Sequence, residues 1–245
     1  MASAAARTES SGASVWHWLS RPLLLEGRAG VERLALIGDP LFRGQGVPRG
    51  KGAPVLLIPG LMAGDWSLTM LSGWLRRIGY APFESGLRVN GHESEATVGM
   101  LGRKLHQAFA ETSQPVTLVG HSRGGMLAAV LAQRQPEIVR QVITLGSPLN
   151  DPFAVSPLTR MAIRSLWLRG GVTGPLTEHP RFQRDLAARP RVPTTSMYSR
   201  SDAIVDWRAC MRDDVRCIEV RGSHIGLAAN REVYREIAGL LRIST

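Results

Sequence analysis

Short apolar runs alternate with segments of helical period along most of this chain, and that alternation restricts the fold more than any other feature. Pro54-Val-Leu-Leu-Ile58 is a continuous apolar run closed by Pro59-Gly60, the pattern of a buried strand that ends in a turn. Leu68, Leu71, Trp74, Leu75 and Ile78 then recur at helical spacing, and residues 81–84 make a short second strand. Residues 93–110 carry Val98, Leu101, Leu105 and Phe109 on one helical face. Residues 116–119 repeat the strand pattern, 126–132 are rich in helix formers, and 139–145 are again a strand stopped by Gly146-Ser147-Pro148. Residues 194–198 and 215–220 are two more strand candidates before a closing helix at 232–241. Strands separated by helices require right-handed crossovers. The expected fold is α/β, with a mainly parallel sheet of about six strands and helices on both faces.

One stretch breaks the alternation. Residues 151–193 hold prolines at 152, 157, 175, 180, 190 and 193 around an amphipathic helix at 158–168. This is an insertion after a sheet strand, placed where open α/β sheets bind ligands, over the carboxyl ends of the strands. Its Met161, Ile163, Leu166, Trp167 and Leu168 suit either an apolar ligand pocket or a packed core helix. The 245 residues, 44% of them hydrophobic, suffice for one sizeable core. Residues 1–52 form an N-terminal arm, its first fourteen residues disordered, and 53–245 the folded domain.

The formal charge is +10, and all of the 30 basic residues except Lys51 and Lys104 are arginines interleaved with acids. No basic run with interleaved aromatics and no nucleotide-binding pattern occurs, so nucleic acid is not an expected partner. Weak contact with an anionic membrane surface, through the Arg160, Arg164 and Arg169 side of the insertion, is compatible with the charge. Cys210 and Cys217 lack a metal-ligand pattern and are expected to be reduced. Residues 16–25 are broken by His17, Ser20, Arg21 and Pro22, and no stretch has the ~18 apolar residues of a bilayer span. A soluble, cytoplasmic protein is the expectation.

Chemistry is concentrated in Gly120-His121-Ser122-Arg123-Gly124, at a strand-to-helix seam. A turn that tight strains the serine backbone, and side chains two positions away on either side would collide. Such a turn exposes the hydroxyl and aims the Arg123 N–H at a developing oxyanion. Serine needs a base. Of six histidines, His224 alone lies in a loop after the last strand, where a mobile segment flanked by Gly222 and Gly226 could bring an imidazole over Ser122. His121 is expected to be a packing residue beside the turn. The carboxylate partner comes from the loop after residues 194–198, which offers Asp202 and Asp206. Asp202 is favoured because it lies nearer the strand end. A second oxyanion donor is the N–H of Leu61, after Pro59-Gly60; Met62 and Trp66 in the same loop are assigned to substrate contact.

With these residues in place the sequence resembles the α/β-hydrolase superfamily, and within it small bacterial lipases and esterases with a GHS-x-GG nucleophile elbow. The carriers are Leu57-Ile-Pro-Gly-Leu61, Val119-Gly-His-Ser-Arg-Gly-Gly125, Leu145-Gly-Ser-Pro148, Ser199-Arg-Ser-Asp-Ala-Ile-Val205 and Gly222-Ser-His-Ile-Gly-Leu227. The resemblance implies nucleophile Ser122, acid Asp202, base His224, oxyanion donors Leu61 and Arg123, and neither metal nor organic cofactor. It implies a small-molecule or lipid ester as substrate, cleaved through a covalent acyl-enzyme, and makes 151–193 a cap or lid. A thioesterase, acyltransferase or perhydrolase would use the same residues, and a non-catalytic receptor could keep the fold. Where many relatives have His-Gly, this chain has Pro59-Gly60. The short sequence before Val55 leaves little room for the two antiparallel strands that usually lead the fold.

Overall fold

The computed structural model describes residues 23–168 and 179–242. The first fourteen residues and Arg169, for which disorder and membrane contact are expected above, lie outside them. Six strands form one all-parallel sheet: β1 (Pro54–Ile58), β2 (Ala81–Glu84), β3 (Val116–His121), β4 (Val139–Leu145), β5 (Thr194–Tyr198) and β6 (Arg216–Glu219). Their spatial order is β2-β1-β3-β4-β5-β6. Register places Leu57 beside Val119 and Glu84, and Gly120 beside Ile58 and Thr144, so the strand ends that carry the turns line up.

Alternate side chains of each strand enter different cores. Leu56, Ile58, Leu118 and Val142 join a cluster with α3 (Ser94–Thr112) and α4 (Arg123–Arg134). Val55, Leu57, Val119, Ile143 and Leu145 join the other, with α1 (Ala29–Gly38), α2 (Thr69–Arg77) and α7 (Arg231–Arg242). Both faces are therefore covered, which is why β1, β3 and most of β4 are buried without polar alternation. Two helices remain in the segment after β4, α5 (Pro157–Leu168) and α6 (Pro180–Ala187).

The expectation of a single insertion over 151–193 needs correcting at its second half. Phe182 and Leu186, one helical turn apart on α6, are buried in the α3/α4 cluster. Arg134 of α4 pairs with both Asp185 of α6 and Glu95 of α3, at 2.6 Å in each case. Thus α6 is the ordinary crossover from β4 to β5. Its signal was masked by brevity: the helix has 8 residues, begins at Pro180 and is capped by His179 Nδ1, which accepts from Arg181 N–H at 3.2 Å. The first half is tied elsewhere, through a bridge between Val155 and Val205 beyond β5. On α5, Met161 is exposed, and the acyl pocket expected from Ile163, Leu166, Trp167 and Leu168 falls outside the described side chains.

Residues 23–53 do not trail away. Leu23–Arg28 forms a 3₁₀ turn that runs into α1, and α1 packs against the turn Ile225–Ala229 beyond β6. On α1 only Leu36 is a fully buried apolar residue, whereas Val31, Leu34 and Ile37 are exposed. A helix with so narrow an apolar stripe is hard to recognise from periodicity.

Candidate active site

Ser122 sits between β3 and α4 with φ 53° and ψ −124°, a left-handed conformation for a residue with a Cβ. Such geometry costs about 1–3 kcal/mol and persists only where neighbours fix it. Ser122 N–H donates to Leu145 O at 2.8 Å, and Ser122 O accepts from Gly125 N–H at 3.0 Å. The glycines are required by contact: a Cβ on Gly120 would lie 2.4 Å from Gly124 C, one on Gly124 2.2 Å from Ile58 O, and one on Gly125 2.0 Å from Ser147 Oγ. The elbow is wedged between the ends of β1 and β4.

Asp202 follows β5 and is buried. Its Oδ1 accepts from the N–H groups of Ile204 and Val205 at 2.8 and 2.7 Å, and its Oδ2 stands 2.6 Å from His224 Nδ1. Because the carboxylate can only accept, Nδ1 carries the proton and Nε2 is the ring's acceptor nitrogen. Asp206 caps the turn Trp207–Cys210 through Arg208 N–H. Burial alone would lower the His224 pKa; the charge and hydrogen bond of Asp202, with a further contribution from Glu26, outweigh it and hold the pKa above 6.5. Ser122 is partly exposed while Asp202 and His224 are buried, so the site opens on the nucleophile.

His121 does more than pack. Its ring lies 4.9 Å from that of His224, and its Nε2–H donates to the His224 backbone oxygen at 2.9 Å. Burial above all, and the nearby His224, lower its pKa to about 4, so the ring is neutral.

Gly60 approaches the elbow so closely that a Cβ there would be 3.2 Å from Ser122 Cβ, which brings the Leu61 peptide beside the nucleophile. This loop is fixed from behind. Met62, at φ 58°, donates its N–H to Asn90 O at 3.0 Å; Asn90 N–H donates to Ala63 O at 2.7 Å and Asn90 Nδ2 to Pro59 O at 2.8 Å. The buried Arg123 side chain bonds Asn90 Oδ1 and also donates to His92 O at 2.6 Å and Ser94 Oγ at 2.9 Å. The guanidinium thus joins the elbow to the Leu61 loop through Asn90. Trp66 is exposed and Met62 half-buried. Among the described residues, no group of three or more His, Cys, Asp or Glu could hold a metal ion, and no helix is long and apolar enough to cross a membrane.

A family model described as alpha/beta hydrolase fold matches residues 112–171, a span that includes β3, the elbow, α4 and β4. Solved structures similar to this one include a monoacylglycerol lipase from Paleococcus ferrophilus, at 15% identity and TM-score 0.57, covering 81% of this chain and 97% of that one. A Bacillus licheniformis lipase in mature form matches at 14% identity and TM-score 0.58, covering 79% and 94%. The thioesterase domain of the curacin biosynthetic pathway matches at 16% identity and TM-score 0.56, covering 80% and 93%. The chain has the α/β-hydrolase fold. No curated protein sequence matches it.

Within this α/β-hydrolase fold the residues picked out by sequence, Ser122, Asp202, His224, Leu61 and Arg123, all lie at or just beyond the carboxyl ends of β1, β3, β5 and β6. Three contributors were missed: Asn90, Glu26 and Glu32. The glycines of the histidine loop also have a packing reason: a Cβ on Gly226 would lie 1.8 Å from Glu32 Oε2, and one on Gly222 2.7 Å from Asn230 Nδ2 and 3.0 Å from Glu32 Oε2. They make room for a carboxylate of α1 that accepts from Ser223 N–H.

Proposed function

We propose that the protein is a serine hydrolase of carboxylic esters, with Ser122, His224 and Asp202 as its triad. The observation that carries this reading is the 2.6 Å Asp202–His224 pair, held in loops at the same sheet edge as a serine strained to φ 53°. Attack of Ser122 Oγ on the acyl carbonyl transfers the serine proton to His224 Nε2, and Asp202 stabilises the imidazolium. Leu61 and Arg123 N–H groups receive the oxyanion. Collapse expels the alcohol with the proton from His224, leaving an acyl-enzyme; water deprotonated by His224 then releases the acid and restores the serine. Met62 and the exposed Trp66 border the acyl group, and α5, tethered to the acid loop by Val155 and Val205, caps the site.

The decisive experiment pairs a p-nitrophenyl acyl-ester series with fluorophosphonate labelling. Ser122→Ala should remove both turnover and label from a folded protein, a loss of ~10⁴-fold or more. A folded Ser122→Ala variant with undiminished turnover would sink the assignment, and wild type that takes no label favours a receptor. The likeness to a thioesterase domain supports one further comparison, acyl thioesters against oxygen esters of the same chain length.

A further inference from the structure

We propose that Glu26 is a positioning residue for His224, which makes the segment 23–38 part of the catalytic apparatus. The proposal rests on the reading of His224 as the base. Glu26 is a buried acid in a 3₁₀ turn far from the triad in sequence. Its Oε1 accepts from His224 N–H at 3.0 Å and from Ala203 N–H at 3.3 Å, and its Oε2 from Ile225 N–H at 2.8 Å. One carboxylate therefore joins the loop after β5, which carries the acid, to the loop after β6, which carries the base.

The chemistry requires an acceptor there. Ser223, His224 and Ile225 present three consecutive N–H groups, and all three donate to side-chain carboxylates. Glu26 takes two, and Glu32 Oε1 takes the third, from Ser223, at 2.8 Å. N–H groups removed from water and left without partners are destabilising. An apolar side chain at 26 would fill the space but leave them empty, so packing does not account for a carboxylate. With the backbone oxygen of His224 held by His121 and its Nδ1 by Asp202, the catalytic residue is fixed by its N–H, its carbonyl and its ring.

Charge adds a second consequence. The titratable groups facing His224 are Asp202 from the β5 loop, His121 from the end of β3, and Glu26; Glu32 faces the adjoining Ser223 and Gly226. Glu26 acts in the same sense as Asp202, favouring the protonated imidazole. Removing its charge should move the His224 titration downward, an effect that mere loss of packing would not produce.

The test uses the full chain with Glu26→Gln, which keeps an acceptor but loses the charge, and Glu26→Ala, which loses both. The His224 imidazole is titrated by NMR, exchange of the Ala203, His224 and Ile225 amides is measured, and kcat and KM are determined on p-nitrophenyl butyrate. Both variants should titrate at lower pH than wild type. Glu26→Ala should also exchange these amides faster and lose on the order of ten- to a hundredfold in kcat with KM little changed. Glu26→Gln should lose less. Unchanged imidazole titration and amide protection in folded Glu26→Ala, or, if that variant does not fold, an unchanged titration in Glu26→Gln, overturns the proposal. Titration and exchange need no substrate. A wild-type chain inert on every ester would therefore defeat the hydrolase reading, while they still decide whether Glu26 holds His224.

Discussion

Ser122 is fixed by its own pentapeptide and by the strands on either side of it, whereas His224 and its neighbour Ser223 are held by carboxylates 198 and 191 positions earlier in the chain, respectively. At the elbow the constraint is steric and made of backbone: Gly120 against Gly124, Gly124 against Ile58. At the histidine loop it is polar and made of side chains, Glu26, Glu32, His121 and Asp202. The first arrangement is stiff because peptide groups cannot rotate out of the way. The second depends on charge state and on the N-terminal segment staying docked.

The largest expected effect follows from the stiffness of the elbow. Gly124→Ala puts a methyl 2.2 Å from Ile58 O and 2.6 Å from Pro59 O, both backbone atoms. Either the elbow or the β1 end must move, and the end of β1 leads directly into the Leu61 loop. Stability should fall by about 1–3 kcal/mol. Esterase kcat should fall by roughly a hundredfold or more, because displacement by about 1 Å is enough for that loss. Urea unfolding and p-nitrophenyl ester kinetics on one preparation measure both. A variant with near-normal kcat would break the contrast, since the elbow would then be as yielding as the loop.

The two regions also differed in how far sequence exposed them. Gly120-His121-Ser122-Arg123-Gly124 carries its own structural demand, so the turn, its strand and its helix could be inferred together. Asp202 could be preferred to Asp206 because strand ends set where triad members emerge. Glu26 and Glu32 gave no such signal: an acid in an amphipathic segment has the pattern of a solvated face, and only tertiary packing turns it inward. Glycines 222 and 226 were visible but their purpose was not, since a glycine that admits a remote carboxylate looks the same as one that permits motion. Asn90, in a loop between β2 and α3, was silent for the same reason.

His121 belongs to both regions, as the last residue of β3 and the donor to His224 O. Its pKa is about 4 when folded against 6.5 when free. Between those values the unfolded chain binds the proton more readily, so stability should fall as pH drops from 6.5 to 4, by up to ~3 kcal/mol. His224 acts in a different window. Its raised folded pKa adds stability that is fully present below 6.5 and is lost as pH rises through the folded value. On the proposed mechanism activity should follow the reverse course, with kcat/KM rising as His224 loses its proton at a midpoint above 6.5. Urea unfolding across pH 4 to 8, with His121→Gln as the comparison, tests the first effect. The variant, which retains a donor for His224 O, should show a flatter profile below pH 6.5; superimposable profiles would remove His121 as the acid-sensitive joint.

The smallest expected effect comes from repeating the alanine substitution at the histidine loop. A Cβ at Gly226 would stand 1.8 Å from Glu32 Oε2 and 2.6 Å from Ser223 Oγ, nominally a worse clash than at Gly124. Both atoms, however, end flexible side chains. Glu32 can turn away at the cost of its bond to Ser223 N–H, about 1 kcal/mol, so kcat should fall only about fivefold. A double-mutant cycle isolates the cause. In a Glu32→Ala background the obstructing carboxylate is gone, and Gly226→Ala should then cost almost nothing further in kcat. Fully additive losses would mean that the glycine serves the loop's own backbone, and that the loop, like the elbow, is shaped by local sterics.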